Sequence, residues 1–507
     1  LKRPFKPFAI MVKNLNEACK IVFISEKEKE LLLSPQRPIV LLQKKNKFSE
    51  HISPGLSNMG IMLPYSGMHH LLFHYSKQPA FVMTSANIPG EPMAIENEEI
   101  LSLNADFSLL HNRRIKNRCD DSVIKGNTFI RRSRGFVPSP VEVKDTKRTV
   151  LSLGAELDVT ACILRKGKAF LSQYIGNTTK LNTFEYLEAA VYNLMELTRV
   201  DKVEAIAVDM HPSFNTSTLG EDLSKKFDVP LIKCQHHFAH ASSLQAECNV
   251  EKMVCITADG VGYGDEGTVW GGEIIVIDDG FERAGHLMPQ LMPGGDLAAR
   301  YPARMAMGIL SRKYQQSELS EIFAPYFEKD ELAVVLKQIG TKFNSPLTTS
   351  TGRVLDSIAS LLEVCTMRTY EGEPAMKLEA FAMKGGDTVD MPLLIEKKDG
   401  RYMLDTTEIL EAVYLAKNAH PLPDIAASAQ HALARGLCEM AIKAAKDKKI
   451  DVIGFSGGVA YNNAIISTAR NIAEGEGFEF IVHTKVPCGD GGISLGQAMI
   501  GAMEPEN

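Results

Sequence analysis

At 507 residues the chain is too long for one simple core and divides more naturally into two or three lobes of ordinary domain size. Hydrophobic residues make up 45% and charged residues 23%, with no apolar run near the roughly 20 residues that span a bilayer, which excludes a membrane-embedded protein. A net charge of −6 offers no general attraction to a phosphate backbone, so neither nucleic acid nor a membrane is expected as partner.

Nine scattered cysteines, none closely paired, fit neither a zinc knuckle nor a disulfide framework, and a cytoplasmic location is expected. The chain starts at Leu1, and Lys2, Arg3 and Lys6 flank no apolar core of signal length. The expectation is a chain cut near the start of its first domain.

Residues 1–140 alternate short apolar runs (Phe8 to Val12, Ile21 to Ile24, Pro38 to Leu42, Ala80 to Met83) with helical or turn-rich stretches, as a mixed α/β domain does. Directly after the last run, Thr84, Ser85 and Asn87 supply hydroxyls and an amide where the chain turns, in reach of a phosphate or an adenine ring. Positive charge for a triphosphate would come from Arg3, Lys6, Arg113, Arg118, Arg131, Arg132 and Arg134, although solvated basic faces look the same in sequence. No Gly-x-x-x-x-Gly-Lys-Ser/Thr loop occurs, so ATP chemistry needs another cradle. Pro138, Pro140 and the polar run to Arg148 read as a linker, with the boundary near residue 146: one domain over 1–146 and a second over 147–507.

The second domain opens with Val150 to Gly154, Ala161 to Leu164 and the turn 165–168, a β-hairpin whose loop carries glycine and acids. A like unit recurs where Met253 to Thr257 runs into the expected loop 259–264 and Gly272 to Ile277 follows. This recurrence suggests a duplicated α/β lobe, though any α/β protein can hold two such patterns. Between them, Gln235-His236-His237-Phe238-Ala239-His240 opens an expected helix on which His236 and His240 share one face, one turn apart, as two imidazoles on one metal would. Two histidines need carboxylates from elsewhere, and Asp259 and Asp490, each followed by glycine, are the candidates. A mixed nitrogen and oxygen set suits zinc or iron. An isolated histidine pair can equally cap or pack a helix; ligation requires the Asp-Gly loops to converge on it.

Gly294, Gly295 and Asp296 precede a helix containing Arg300 and Arg304, and 369–376 precedes another with Glu379. Both could be site walls or plain helix entries. Trp270 reads as core packing. A helix is expected over 424–446, then a buried strand from Val452 to Phe455. The turn at Gly457 and Gly458 leads into a further helix past Asn462, a strand-turn-helix suited to an anion or nucleotide.

In order along the chain, these motifs resemble the HypF family of [NiFe]-hydrogenase maturation carbamoyltransferases. Residues 1–140 resemble its YrdC-like domain through Arg3-Pro4-Phe5-Lys6-Pro7-Phe8-Ala9, Gly60 to Tyr65, Thr84-Ser85-Ala86-Asn87, Asp120-Asp121-Ser122-Val123 and Arg131-Arg132-Ser133-Arg134-Gly135. Residues 149–507 resemble its ASKHA (actin and sugar-kinase-like) domain, related to tRNA threonylcarbamoyl transferases, through 236–240, 259–264, Trp270-Gly271-Gly272-Glu273, 293–296, Tyr370-Glu371-Gly372, 456–459 and 490–492. The resemblance implies formation of a carbamoyl adenylate from carbamate and ATP with Mg, and transfer of the carbamoyl group to the C-terminal cysteine of HypE. It also implies one divalent metal on His236, His240, Asp259 and Asp490 as the catalytic centre. In the family an acylphosphatase domain first splits carbamoyl phosphate; that domain and the four-Cys zinc fingers have no counterpart here, so this route from carbamoyl phosphate is not expected. Asp158 replaces a basic residue of the family, and Tyr174 and Asn177 replace a His and an Asp. The rival readings are an O-carbamoyltransferase of the TobZ type acting on a small alcohol, and a non-catalytic nucleotide-binding regulatory module.

Overall fold

The computed structural model describes residues 6–45 and 50–503. The chain separates into two compact units, Leu1–Asn249 with His483–Asn507, and Val250–Val482. The first unit holds two six-stranded sheets and the second a nine-stranded one, so the α/β expectation holds throughout.

In the first sheet, the strand Ala9–Val12 sends Ile10 and Val12 into one apolar cluster and Met11 into another. Side chains alternate across a strand, so an unbroken apolar run is what a sheet buried on both faces requires. Ala9–Val12 pairs in parallel with Asn58–Met62, a central strand that sequence pattern missed because Asn58 and Gly60 interrupt its apolar run. The run 21–24 is not a strand. Asn14 accepts from the Glu17 N–H and caps a helix over Leu15–Ile21, which leaves Val22 a single bridge to Lys44.

The second sheet begins as an antiparallel meander of Val150–Ser152, Cys162–Arg165 and Lys168–Leu171, and then adds Ala205–Asp209 and Leu231–Cys234 in parallel beside the first strand. The stretch expected as a linker supplies its edge strand, Val141–Glu142, paired with Lys168–Leu171. The second unit repeats this plan. Met253–Tyr263, Val269–Ile277 and Phe281–Leu287 form the meander, with Val452–Ser456 and then Glu479–Val482 parallel beside the first strand. The two hairpins expected from sequence are therefore the opening strands of two lobes with one topology. One detail differs: 259–263 is no free loop, because the strand runs on to Tyr263 with its register shifting between Ala258 and Gly262.

In the first unit, the helix Leu181–Thr198 buries Tyr186, Leu187, Ala190, Val191, Leu194 and Met195 against Leu151 and Ile163 on one face of the second sheet. Leu495, Ala498 and Met499 of the helix Ile493–Met503 cover the other face. That helix also meets the helix His236–Cys248 at minimal distance: a Cβ built on Gly496 would stand 1.8 Å from the Ala239 carbonyl oxygen. Because the obstacle is backbone, Gly496→Ala is expected to cost about 3 kcal/mol, the upper end for an overpacked core, read as a lowered urea midpoint.

In the second unit, the helix expected over 424–446 spans Leu422–Lys448. Trp270 is 2% exposed and carries the Arg283 guanidinium 3.8 Å above its ring, as core packing predicts. Arg283 in turn pairs with Glu273, which is fully buried. Among the described residues no helix is long and apolar enough to cross a membrane.

Candidate metal centre

The helix His236–Cys248 is entered through Gln235, whose side chain accepts from the Phe238 N–H at 2.9 Å. His236 and His240 follow one turn apart, with ring centroids 4.9 Å from each other and exposures of 2% and 1%. His237 is fully buried beside them. Asp490 opens the short turn Asp490–Gly492, held down by Ser243 Oγ donating to the Gly492 carbonyl (2.8 Å) and Thr160 Oγ1 donating to the Gly491 carbonyl (3.0 Å).

Asp490 Oδ1 lies 3.7 Å from His236 Nε2 and 3.7 Å from His240 Nε2. That is too long for a hydrogen bond. It is close to the ~3.4 Å that separates two donors held ~2.0–2.1 Å from one tetrahedral ion. One ligand atom from each of the three residues lies within 4.8 Å of the others. The histidine pair is thus accompanied by a carboxylate at ligand spacing, not merely packed against its helix.

Sequence reasoning missed the residue that orients His236. Asp209 is fully buried at the end of Ala205–Asp209; its Oδ2 sits 2.8 Å from His236 Nδ1, and its Oδ1 accepts from the His211 N–H at 2.9 Å. A carboxylate on Nδ1 fixes the proton there and turns the Nε2 lone pair toward Asp490. The available signal was an acid ending an apolar strand at its carboxyl end, where α/β folds place ligands. Asp209→Ala is expected to weaken Zn2+ or Co2+ binding about 10–100-fold, read by titration against a competing chelator.

Asp259 lies in the second unit, on the bulged stretch of Met253–Tyr263. Its Oδ1 accepts from the Gly260 N–H (2.7 Å), and Ser350 Oγ donates to the carbonyls of Asp259 (3.1 Å) and Gly260 (2.7 Å). Gly457 and Gly458 close over the same stretch. Gly457 has φ +95°, and a Cβ on it would meet the Ala258 carbonyl at 2.3 Å, so both its conformation and its surroundings demand glycine. Asn462 caps the helix Asn463–Gly475 by accepting from Ala464 and Ile465, while its Nδ2 donates to Gln430. Gly294 and Gly295, both with positive φ, lead into the helix Asp296–Arg300.

In the first sheet's domain, Thr84 is exposed, whereas Ser85 bonds Asn87, whose amide donates to the Ile88 and Glu91 carbonyls and closes the turn. Arg134 is committed to the fold: it donates to Asp121 Oδ1 (2.7 Å) and to the Gln36 and Arg37 carbonyls, and lies 3.6 Å from the Tyr65 ring centre. Burial pulls Arg132 down to about 10 while it donates to the Phe136 and Ser139 carbonyls. Arg131 faces Asp120 at 3.3 Å and stacks 4.1 Å over Tyr174, whose hydroxyl donates to Asp158 Oδ1 at 2.9 Å. Two of the expected departures from the family pattern therefore touch each other. Lys6 is exposed, and Arg3 lies outside the described residues.

A repeated lobe of this topology, joined to a YrdC-like sheet domain, defines a class. Residues 1–133 match the Sua5/YciO/YrdC family described as "Telomere recombination", 145–247 the HypF Kae1-like domain, and 255–497 the second subdomain of the carbamoyltransferase Kae1-like domain. The chain is 45% identical over 98% of its length to a probable carbamoyltransferase HypF of Methanocaldococcus jannaschii, covering 66% of that protein. It is 33% identical over its full length to carbamoyltransferase HypF of Rhodobacter capsulatus, covering 68% of it. The crystal structure of T. kodakarensis HypF superposes with a TM-score of 0.92 at 41% identity, over 99% of this chain and 68% of that one. A full-length HypF in a phosphate- and nucleotide-bound form also gives 0.92, at 36% identity, over 99% and 66%. The chain belongs to the HypF carbamoyltransferase family. It spans about two thirds of the length of these relatives.

Proposed function

We propose that this chain is an ATP-dependent carbamoyltransferase, with 1–146 as the adenylate-forming domain and 147–507 as the transfer domain. A carbamate oxygen attacks the α-phosphorus of ATP, supplied with Mg, giving carbamoyl adenylate and pyrophosphate. A cysteine thiolate, the C-terminal one of HypE, then attacks the carbamoyl carbon and AMP leaves. Carbamate is a poor electrophile, and adenylation provides the leaving group that makes the second step feasible.

The observation that carries this reading is the pair of 3.7 Å distances from Asp490 to His236 and His240, backed by Asp209. His236, His240 and Asp490, with Asp259 as the fourth donor, would hold a divalent ion, zinc or iron by the chemistry of the donors. When bound, such an ion supplies positive charge against a phosphate or carbonyl oxygen. The chain's own residues orient the imidazoles and keep the donors largely out of water.

For the nucleotide, the backbone at Gly457 and Gly458 and the turn at Gly294, Gly295 and Asp296 serve the second unit, with Asn462 shaping the former. Thr84, Ser85, Asn87, Arg3, Lys6 and Arg131 serve adenylation, with Arg134 organising the basic turn. Among the described residues the nine cysteines form no disulfide, which suits a reducing cytoplasm. Arg131→Ala is expected to slow carbamate-dependent pyrophosphate exchange into ATP at least tenfold, the scale of one lost charge-assisted contact; unchanged exchange would move adenylation elsewhere.

The deciding experiment is mass spectrometry of HypE after incubation with this chain, ATP and a carbamate source. Carbamoylation of the C-terminal thiol is expected. An unmodified thiol beside a carbamoylated small alcohol would assign the TobZ-type reaction, and ATP binding without turnover a regulatory module.

A further inference from the structure

The helix His236–Cys248 carries more than two imidazoles on the face toward Asp490. His236, His240, Ser243 and Glu247 follow one another at intervals of four, three and four, a single stripe along the helix. Ser243 already holds the Gly492 carbonyl. Glu247 holds the other side of the same segment.

Glu247 is 1% exposed. Its carboxylate accepts the backbone N–H groups of Thr484 (2.5 Å), Lys485 (2.6 Å) and Val486 (3.3 Å) and the Thr484 hydroxyl (3.1 Å), and lies 2.6 Å from His483 Nδ1. Lys485 Nζ donates back to the Glu247 carbonyl at 3.0 Å. Successive amides converging on one anion form a nest, filled here by the protein's own acid. Burial pushes the Glu247 carboxyl up, but His483 and the amides outweigh it and hold the group below the usual carboxylate range. The chain passes between its compact units after Asn249 and after Val482, so both passages lie within two residues of this knot.

We propose that Glu247 is a positioning residue for the metal centre: by gripping 483–486 it sets the distance at which Asp490 faces His236 and His240. This rests on the reading of those three residues as metal ligands. The helix and Asp209 fix the two imidazoles, whereas Asp490 depends on what anchors its segment, and besides Thr160 the same helix face anchors it through Ser243 and Glu247. A displacement of about 1 Å at Asp490 would undo the shared spacing that a single ion needs.

Titration of the full chain with Co2+, followed by its visible ligand-field absorption, tests this. Glu247→Gln is expected to weaken binding about 10–100-fold and to alter the spectrum, whereas His483→Asn, which keeps a donor near the Nδ1 position, stays close to the parent. In the unaltered chain, saturating Co2+ is expected to slow hydrogen exchange at the Thr484, Lys485 and Val486 amides, although none of these is a ligand. No Co2+ binding by the unaltered chain would defeat the metal reading itself. Binding there, with identical affinity and spectrum in Glu247→Gln, would overturn the positioning role alone. Should Glu247→Gln fail to fold, exchange at the three amides that ignores Co2+ overturns it instead.

Discussion

His236→Ala combined with His240→Ala is expected to yield a folded chain that retains no divalent ion and transfers no carbamoyl group. The two imidazoles are the only nitrogen donors in the proposed set, and carboxylates alone hold zinc or iron poorly against water and magnesium. The fold should survive, because alanine is the best helix former and Ala239, Ala241 and Leu244 keep the helix packed. Asp209 loses its partner but keeps the His211 N–H, so a stability loss of about 1–3 kcal/mol is expected. Elemental analysis of the purified variant beside its circular dichroism and urea curve separates these effects. Full metal content in a folded double variant would place the ion elsewhere.

Glu273→Leu should produce the largest stability loss of any single change considered, about 3–5 kcal/mol, because it strands a buried charge. Glu273 is fully buried and accepts from the Gly271 N–H (2.9 Å), the Gly272 N–H (3.1 Å), Thr349 Oγ1 (2.5 Å) and Arg283 Nε (2.7 Å). Without it, the Arg283 guanidinium is left against the Trp270 ring, which does not replace a carboxylate. The same substitution loosens the strand next to Asp259, since a Cβ on Gly271 would stand 2.7 Å from the Asp259 carbonyl oxygen. Combining it with Arg283→Met should recover the part of the loss due to the stranded charge, measured as non-additivity in a urea double-mutant cycle. Additive losses, or a single-variant loss below about 1 kcal/mol, would show that the pair is not the hub of this strand cluster.

Motifs and periodicity made much of this protein legible. The apolar runs at 8–12, 38–42 and 80–83 became strands, and the stretch opening at residue 236 became the helix His236–Cys248. The recurrent hairpins marked a duplicated lobe. Errors arose where a local signal was ambiguous: glycine and asparagine hid the central strand Asn58–Met62, and the polar stretch read as a linker docks an edge strand because a neighbouring sheet edge was open to it.

The amino-acid sequence by itself determined which side chains of this protein can do chemistry and which of them are neighbours on one helix, because helical spacing is a local property of the backbone. Only the tertiary structure decided that Asp490, some 250 residues beyond His240, stands at ligand distance from both imidazoles. It alone also decided that Asp209 orients one of them, that Glu247 holds the segment leading to the carboxylate, and that Arg134 is spent on the fold. These contacts depend on which strand ends and turns the packed sheets bring together, and nothing in local propensity encodes that.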